Sequence, residues 1–463
     1  MRNIHPNTND AYRLLHNGAL ALLRAEQQGM RVDMEYIERT TAQLTEQIDE
    51  LEAVLKKTKF FRHWQHSRGN RAVNINSDVQ LGNYIYNRLG FEPVKLTDSG
   101  RGAVDEESLL ALGVPELESI IKIRKMRKNR DTYLGGFARE QVDGYVHPFF
   151  HLHFVRTYRS SSDRPNFQNI PKRDKEAQKI TRQALYPRPG HQLLEFDYGA
   201  LEVRIAACYH QDPNMLKYIR EGHDLHADMT EQIFKIDKYD DAIDGHAHLR
   251  SAVKNGFVFP QFYGDYYGNN AADISGKWCG LKTKQWKPGQ GVGFEGAHIS
   301  DHLCTHKLGS LQKFTDHLKE IEEDFWENRF PEYHAWKRRW WAGYKKFGYI
   351  DMKTGFRCSG LMERNDAINY PIQGSAFHCL LWSFIELDRI MVLEKWNTRL
   401  IGQIHDAIIF DVSPNELDHV IKTIRRVTTQ DLPKAWQWIN VPLEVKGDLF
   451  PVDGSWASES TKV

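Results

Sequence analysis

Two apolar, β-prone runs some two hundred residues apart each deliver an aspartate to the end of a strand. This recurrence constrains the chain more than any other feature. The first run is Leu193-Leu194-Glu195-Phe196, followed by Asp197 and, five residues on, by Glu202 in what reads as a helix over 200–208. The second is a hairpin in which 400–404 and 407–410 flank His405-Asp406, placing Asp406 at the tip. A lone aspartate after a strand is most often a helix cap or turn residue. Two held on strand ends permit more. Rigid carboxylates can hold a pair of Mg²⁺ ions roughly 4 Å apart, which activate an attacking oxygen and stabilise a leaving one in phosphoryl transfer.

At 463 residues, 41% hydrophobic and 12% aromatic, the chain can form several subdomains around a sizeable core. It holds no apolar run long enough to span a bilayer, and its first residues lack a signal peptide's apolar centre. Cys208, Cys279, Cys304, Cys358 and Cys379 are scattered, which fits a reducing compartment such as the cytoplasm. The net charge of +1 is low for a nucleic-acid enzyme, but the charges cluster. Lys122, Arg124, Lys125, Arg127, Lys128 and Arg130 come without an intervening acid, and 336–347 interleave Trp and Tyr with Lys and Arg. Any one such run reads as a solvated helix face; two beside a phosphoryl-transfer core favour DNA contact.

Four further stretches carry chemistry. The polar loop 157–171 reads Thr-Tyr-Arg-Ser-Ser-Ser-Asp-Arg-Pro-Asn-Phe-Gln-Asn-Ile-Pro. On composition it is a surface turn. Arg250 and Lys254 are four apart and share a helix face, where two cations can hold a triphosphate. Phe259 and Tyr263-Gly264 follow. His226 lies in Asp224-Leu225-His226, and Asn369 and Gln373, one helical turn apart, lie in Asn-Tyr-Pro-Ile-Gln-Gly-Ser-Ala. Taken singly, these are solvated cations, a solvated histidine and amides satisfying backbone.

Taken together, these stretches resemble the DNA polymerase I-like (family A) polymerases from about residue 11 to Trp456. Residues 193–204 are similar to motif A, Arg250 to Gly264 to motif B and 403–406 to motif C. The resemblance implies an α+β right-hand fold, an antiparallel palm sheet with helical thumb and fingers. The expected division is 1–34 as N-terminal helix and run into the palm, 35–134 thumb, 135–206 palm, 207–347 fingers and 348–463 palm again. Residues 265–330 are longer than the family usually has there. Their Cys279, His298, His302, Cys304 and His306 match no standard zinc spacing, and template or partner contact is the expected role.

The implied reaction adds deoxynucleotides to a primer 3′-OH on a template and releases pyrophosphate. Asp197, Asp406 and the Tyr198 carbonyl hold two Mg²⁺, with Mn²⁺ an admissible substitute. Glu202, His226, Arg250, Lys254, Phe259 and Tyr263 form the nucleotide site, Lys254 also protonating the leaving group. Arg159, Asn166, Gln168, Asn169, Asn369, Gln373 and His405 meet primer-template, sensing pair geometry through minor-groove acceptors common to all pairs. Glu202, where the family crowds the ribose 2′ position, argues for DNA. A proofreading domain is expected to be absent, leaving room for a separate exonuclease chain or a processivity factor. The chain departs from the family at three places. Tyr158 replaces a Gly, eight residues rather than seven separate Lys254 from Tyr263 with Pro260 among them, and Ala407 replaces a Glu. The extra residue predicts a bulge or kink near 257–260, and counting from the two ends leaves Phe257, Val258 and Phe259 as candidates for the stacking position, with Phe259 preferred. The rival readings are a single-subunit RNA polymerase and a degenerate DNA-binding scaffold.

Overall fold

Strand β1 (Gln192–Tyr198) is buried at every position but Asp197, as its near-continuous apolar run requires of a strand covered on both faces. It is the middle of a five-stranded sheet with β2 (Arg399–Ile404), β3 (Ala407–Val412), β4 (Val445–Leu449) and β5 (Thr461–Lys462), in the order β2-β3-β1-β4-β5. All neighbours are antiparallel. The structure, a computed structural model, describes residues 6–463 except 70, 94, 98, 173 and 282. Among these, no helix is long and apolar enough to cross a membrane.

Helices surround the sheet. Helix α1 (Thr8–Gln28) starts from a capping box built by Asn7 and Asp10. Helix α2 (Met34–Lys56) buries Ile37, Leu44, Ile48 and Leu55 from its expected stripe, adds Thr40, and leaves Leu51 at the margin. It shares a hydrophobic core with Leu117, Ile120 and Ile123 of α3 (Pro115–Arg127). A second, larger core includes α4 (Leu201–His210), α5 (Leu225–Phe234), α6 (His246–Val253), α7 (Phe259–Tyr263), α8 (Pro331–Phe347) and α9 (Arg364–Leu393). Arg24 of α1 donates to Asp388 of α9 at 3.0 Å, tying the first helix to the last long one.

The structure corrects the sequence reading at two places. The basic run on and after α3 is mostly paired within the chain: Arg124 with Asp78, Lys125 with Glu106 and Asp174, Arg127 with Glu52, and Arg130 with Asp131. Most of these acids come from other elements, which a local charge count cannot see. At 337, the expected surface cation is buried, its ammonium 3.2 Å from the Trp326 ring centroid. Among the described residues no group of three or more His, Cys, Asp or Glu is arranged to hold a metal. Cys279 is buried, His302 is bonded to the Phe234 carbonyl at 2.7 Å, and His306 turns back to the His302 carbonyl at 2.9 Å.

Candidate functional site

The register of β1 against β3 pairs Asp197 with Ala407, the residue after Asp406. Both aspartates therefore stand at one edge of the sheet. The edge is locked: Tyr198 N–H donates to the Asp406 carbonyl at 3.2 Å, and Gly199 N–H to the Glu444 carbonyl at 2.9 Å. The chain then turns through Ala200 at φ +49 into α4. His405, at the two-residue hairpin tip, has φ +52, a left-handed conformation that costs a non-glycine residue about 1 kcal/mol. The Tyr198 phenol points inward, sharing a hydrogen bond with Ser383 Oγ at 2.7 Å, and its burial raises its pKa. What Tyr198 leaves for the edge is backbone.

Burial pushes the Asp406 carboxyl up to about 6; the nearby Glu202 and Asp197 charges add to this and Arg159 opposes it. Among the described residues, Asp406 Oδ1 is buried without a hydrogen-bond partner, and Arg159 Nη2 lies 3.7 Å from it. Such an orphaned acceptor is costly unless a cation completes it. With the Asp197 carboxylate beside it, this pair offers the oxygen-donor chemistry that suits a hard divalent ion.

Above the sheet edge, Arg159 Nη1 donates to Glu202 Oε1 at 3.2 Å, and the Tyr263 hydroxyl donates to Glu202 Oε2. Three stretches far apart in sequence thus meet at one carboxylate. Arg159 is aimed there by its neighbour. Tyr158 has φ +58, the left-handed conformation that a Gly would adopt freely, and is held by its hydroxyl on the Arg357 carbonyl at 2.8 Å and by the Phe356 ring. Gly374 of α9 lets this loop close in: a Cβ there would lie 2.2 Å from the Thr157 carbonyl oxygen. Asn166 caps the short turn 167–169 and is exposed, as is Asn169. Gln168 instead turns inward, donating to Ser160 Oγ at 2.8 Å and Gln403 Oε1 at 3.3 Å. Gln403 in turn donates to the His405 carbonyl at 2.7 Å, so this amide chain supports the hairpin tip.

The same helix that brings Tyr263 to Glu202 carries a cationic shelf further back. Helix α6 continues without a break into a π-helical turn, Lys254–Val258, and then α7. One extra residue in a helix is accommodated by such a turn, which accounts for the eight-residue spacing. Pro260 falls in the first turn of the restarted α-helix, where its missing N–H is tolerated. Phe257 is fully buried against Phe325, whereas Phe259 lies half-buried beside Lys254, 5.5 Å from ammonium to ring centroid. Phe259 also stacks with Tyr263 and meets His226 edge-on. Burial and Arg250 lower the Lys254 pKa, with Asp224 opposing. Burial, Arg250 and Lys254 push His226 down to about 4. Asn369 Nδ2 donates to the Tyr263 carbonyl at 3.2 Å, and Gln373 is half-buried one turn further on. A small cavity is lined by Glu202, Val203, Phe259, Tyr263, Asn369 and Ile372, among others.

Two polar residues of the site were not singled out in the sequence. Lys172 donates to Asp197 Oδ2 at 3.3 Å, and Asp224 accepts from Arg250 Nε at 2.8 Å while capping α5. Lys172 directly follows the polar loop's final Pro171, and Asp224 precedes His226 by two, so adjacency to the motifs was the available signal.

Comparison with known proteins agrees with this geometry. The family model described as DNA polymerase family A matches residues 34–277 and 308–453. DNA polymerase I of Lactococcus lactis subsp. lactis is 29% identical over 374 residues, covering 80% of this chain and 38% of the relative. DNA polymerase I of Geobacillus stearothermophilus is 27% identical over 430 residues, 92% of this chain and 43% of the relative. The chain thus spans about two-fifths of the length of these relatives. The polymerase domain of Pol1 from M. smegmatis, solved with DNA primer-template and dNTP, has the same fold. Its TM-score is 0.72 at 23% identity, over 96% of this chain and 70% of that one.

Proposed function

The chain belongs to DNA polymerase family A, and from that premise we propose that it extends a DNA primer on a template with deoxynucleoside triphosphates. The observation that carries the reading is the convergence of Asp197 and Asp406 on one sheet edge, with Lys172, bonded to Asp197, near enough to act electrostatically on Lys254 of the group that also holds Arg250 and His226. In this reading helices within 35–134 serve as the thumb, those within 207–347 as the fingers, and the sheet as the palm.

Asp197, Asp406 and the Tyr198 carbonyl would hold two divalent cations, Mg²⁺ or Mn²⁺. When bound, these supply activation of the primer 3′-OH and charge stabilisation of the leaving pyrophosphate. The chain's own residues do the rest. Arg250 and Lys254 bind the triphosphate, Arg250 exchanging its Asp224 contact for phosphate oxygens. The lowered pKa of Lys254 suits it to deliver a proton to the departing pyrophosphate. His226, held neutral, donates a hydrogen bond to the same phosphates. Phe259 and Tyr263 flank the incoming base and sugar, and Glu202, fixed by Arg159 and Tyr263, fills the space a ribose 2′-hydroxyl would need. Arg159, Asn166, Asn169, Asn369, Gln373 and His405 meet the primer-template, with Gln168 supporting the tip on which His405 stands.

The test is extension of an end-labelled primer on a defined template by the purified chain with Mg²⁺ and either dNTPs or rNTPs, beside Asp406→Asn. Templated growth with dNTPs, little with rNTPs, and loss of growth but not of primer-template binding in Asp406→Asn are expected. Binding without growth by the unaltered chain would reject the enzyme in favour of a scaffold, and equal use of rNTPs would reject DNA specificity.

A further inference from the structure

The family match stops at residue 277 and resumes at 308. The stretch between packs on the start of α6, the helix that leads to Arg250 and Lys254. It carries a short hairpin, Gly293–Phe294 against Ala297–His298, and a helix, Ile299–Thr305.

The α6 N-terminus has no side-chain cap: its N-cap is Gly245 at φ +83. The hairpin packs directly against it. Glu295 N–H donates to the Asp244 carbonyl at 3.2 Å. A Cβ on Gly245 would come within 2.6 Å of the Gly293 carbonyl oxygen, so the two backbones are in direct contact. His246, fully buried, is the centre of the junction. Its ring stacks on Phe294 at 5.4 Å with 7° between planes. Its Nδ1 accepts from Asp240 N–H at 3.2 Å, which leaves Nε2 carrying the proton and donating to Glu295 at 3.0 Å. Two residues on, His248 Nε2 donates to the Trp278 carbonyl at 2.7 Å. The first residue of the unmatched stretch and its hairpin therefore each hold a side chain of the first helical turn.

We infer that residues 278–307 are a brace that sets the position of the nucleotide-binding helix, with Glu295 and Phe294 acting through His246 as positioning residues. The inference rests on the proposed polymerase function for its kinetic consequence alone. Arg250 lies one turn, and Lys254 two turns, beyond His246 along one continuous helix. A tilt or fraying at His246 is carried to both cations, and binding geometry tolerates little displacement.

Glu295 is half-exposed, so removing its carboxylate breaks the junction without emptying the core. The experiment compares unaltered chain, Glu295→Ala and Glu295→Gln in two readouts. Hydrogen exchange over residues 246–254 reports the brace itself. Single-nucleotide incorporation reports its consequence. Glu295→Ala should raise exchange in the first turn roughly tenfold, and KM for dNTP roughly fivefold with kcat within about twofold. Glu295→Gln, which keeps an acceptor for His246 Nε2–H, should recover most of both. Unchanged exchange in Glu295→Ala overturns the brace. Faster exchange with unchanged KM overturns the positioning role. An unaltered chain that never extends a primer rejects the proposed function, and the exchange arm then still decides whether the hairpin holds the helix.

Discussion

At the scale of single residues, Glu202 joins three parts of the chain. One carboxylate oxygen takes Arg159 from the polar loop and the other takes Tyr263 from α7. Removing it in Glu202→Ala frees both partners and opens the space beside them. The ratio of kcat/KM for dNTP over rNTP should fall by roughly 10- to 100-fold, read by single-nucleotide incorporation; an unchanged ratio would remove Glu202 from sugar discrimination. Asp197 and Asp406 were legible because each follows a strand whose apolar run is visible locally. Counting along motif B left Phe257, Val258 and Phe259 open. The distinction is one of burial: Phe257 is wholly in the core against Phe325, and Phe259 borders the shelf. The partners of the site, Lys172 and Asp224, carried no pattern of their own.

At the scale of elements, the helix from His246 to Tyr263 stays continuous by widening into a π turn at Lys254–Val258. The sequence reading anticipated a bulge from the count and from Pro260, and placed it near 257–260, slightly late. Deleting Asn255 should convert the π turn into regular α-helix while keeping the faces before and after it aligned. The expected outcome is a folded protein whose KM for dNTP stays within about tenfold of the unaltered chain. Loss of incorporation in a chain with an unchanged melting temperature would show that the wide turn itself shapes the nucleotide site. The basic run after residue 121 teaches the opposite lesson. Its helix was predictable, but four of its six cations are spent on carboxylates, three of those cations reaching acids on other elements. Charge along a helix says nothing of what faces it.

At the scale of the whole molecule, the core keeps two histidines neutral. His378 and His210 are buried and pushed down to about 3 by burial, with Lys337 adding to the effect on His210. Each uses Nδ1, His378 sharing a hydrogen bond with Thr354 and His210 accepting from Asp212 N–H, while Nε2 has no partner. The unfolded chain, with histidines near 6.5, binds more protons than the folded one below that pH. Stability is therefore full above about pH 6.5 and is lost as pH falls toward 3, by about 1 kcal/mol per histidine at pH 5.5. Urea unfolding at pH 7.5 and 5.5 should show this loss, and His378→Leu should shrink the difference by about 1 kcal/mol; an equal difference in the variant would count against it. The C-terminal segment is bound to the sheet in a second such core contact. Trp456 is buried, its indole donating to Glu195 Oε2 at 3.1 Å beneath the Arg182 guanidinium. Trp456→Ala should lower stability by about 3–5 kcal/mol, measured as the shift in urea midpoint, whereas a shift under about 1 kcal/mol would mean that the C-terminal segment is not part of the cooperative unit.

The amino-acid order alone was sufficient for the strands that end in Asp197 and Asp406, the helices of regular period and the motifs that resemble family A. These are local properties: hydrophobic period, caps and residue types within reach of a few turns. Tertiary structure decided which polar groups those elements share. It brought Arg159, Glu202 and Tyr263 to one carboxylate and left Asp406 Oδ1 without a partner. It turned Gln168 inward, neutralised most of the basic run, and set the 278–307 hairpin on the start of α6. Burial and electrostatics depend on neighbours that lie tens to hundreds of residues away in the chain, so no local pattern encodes them.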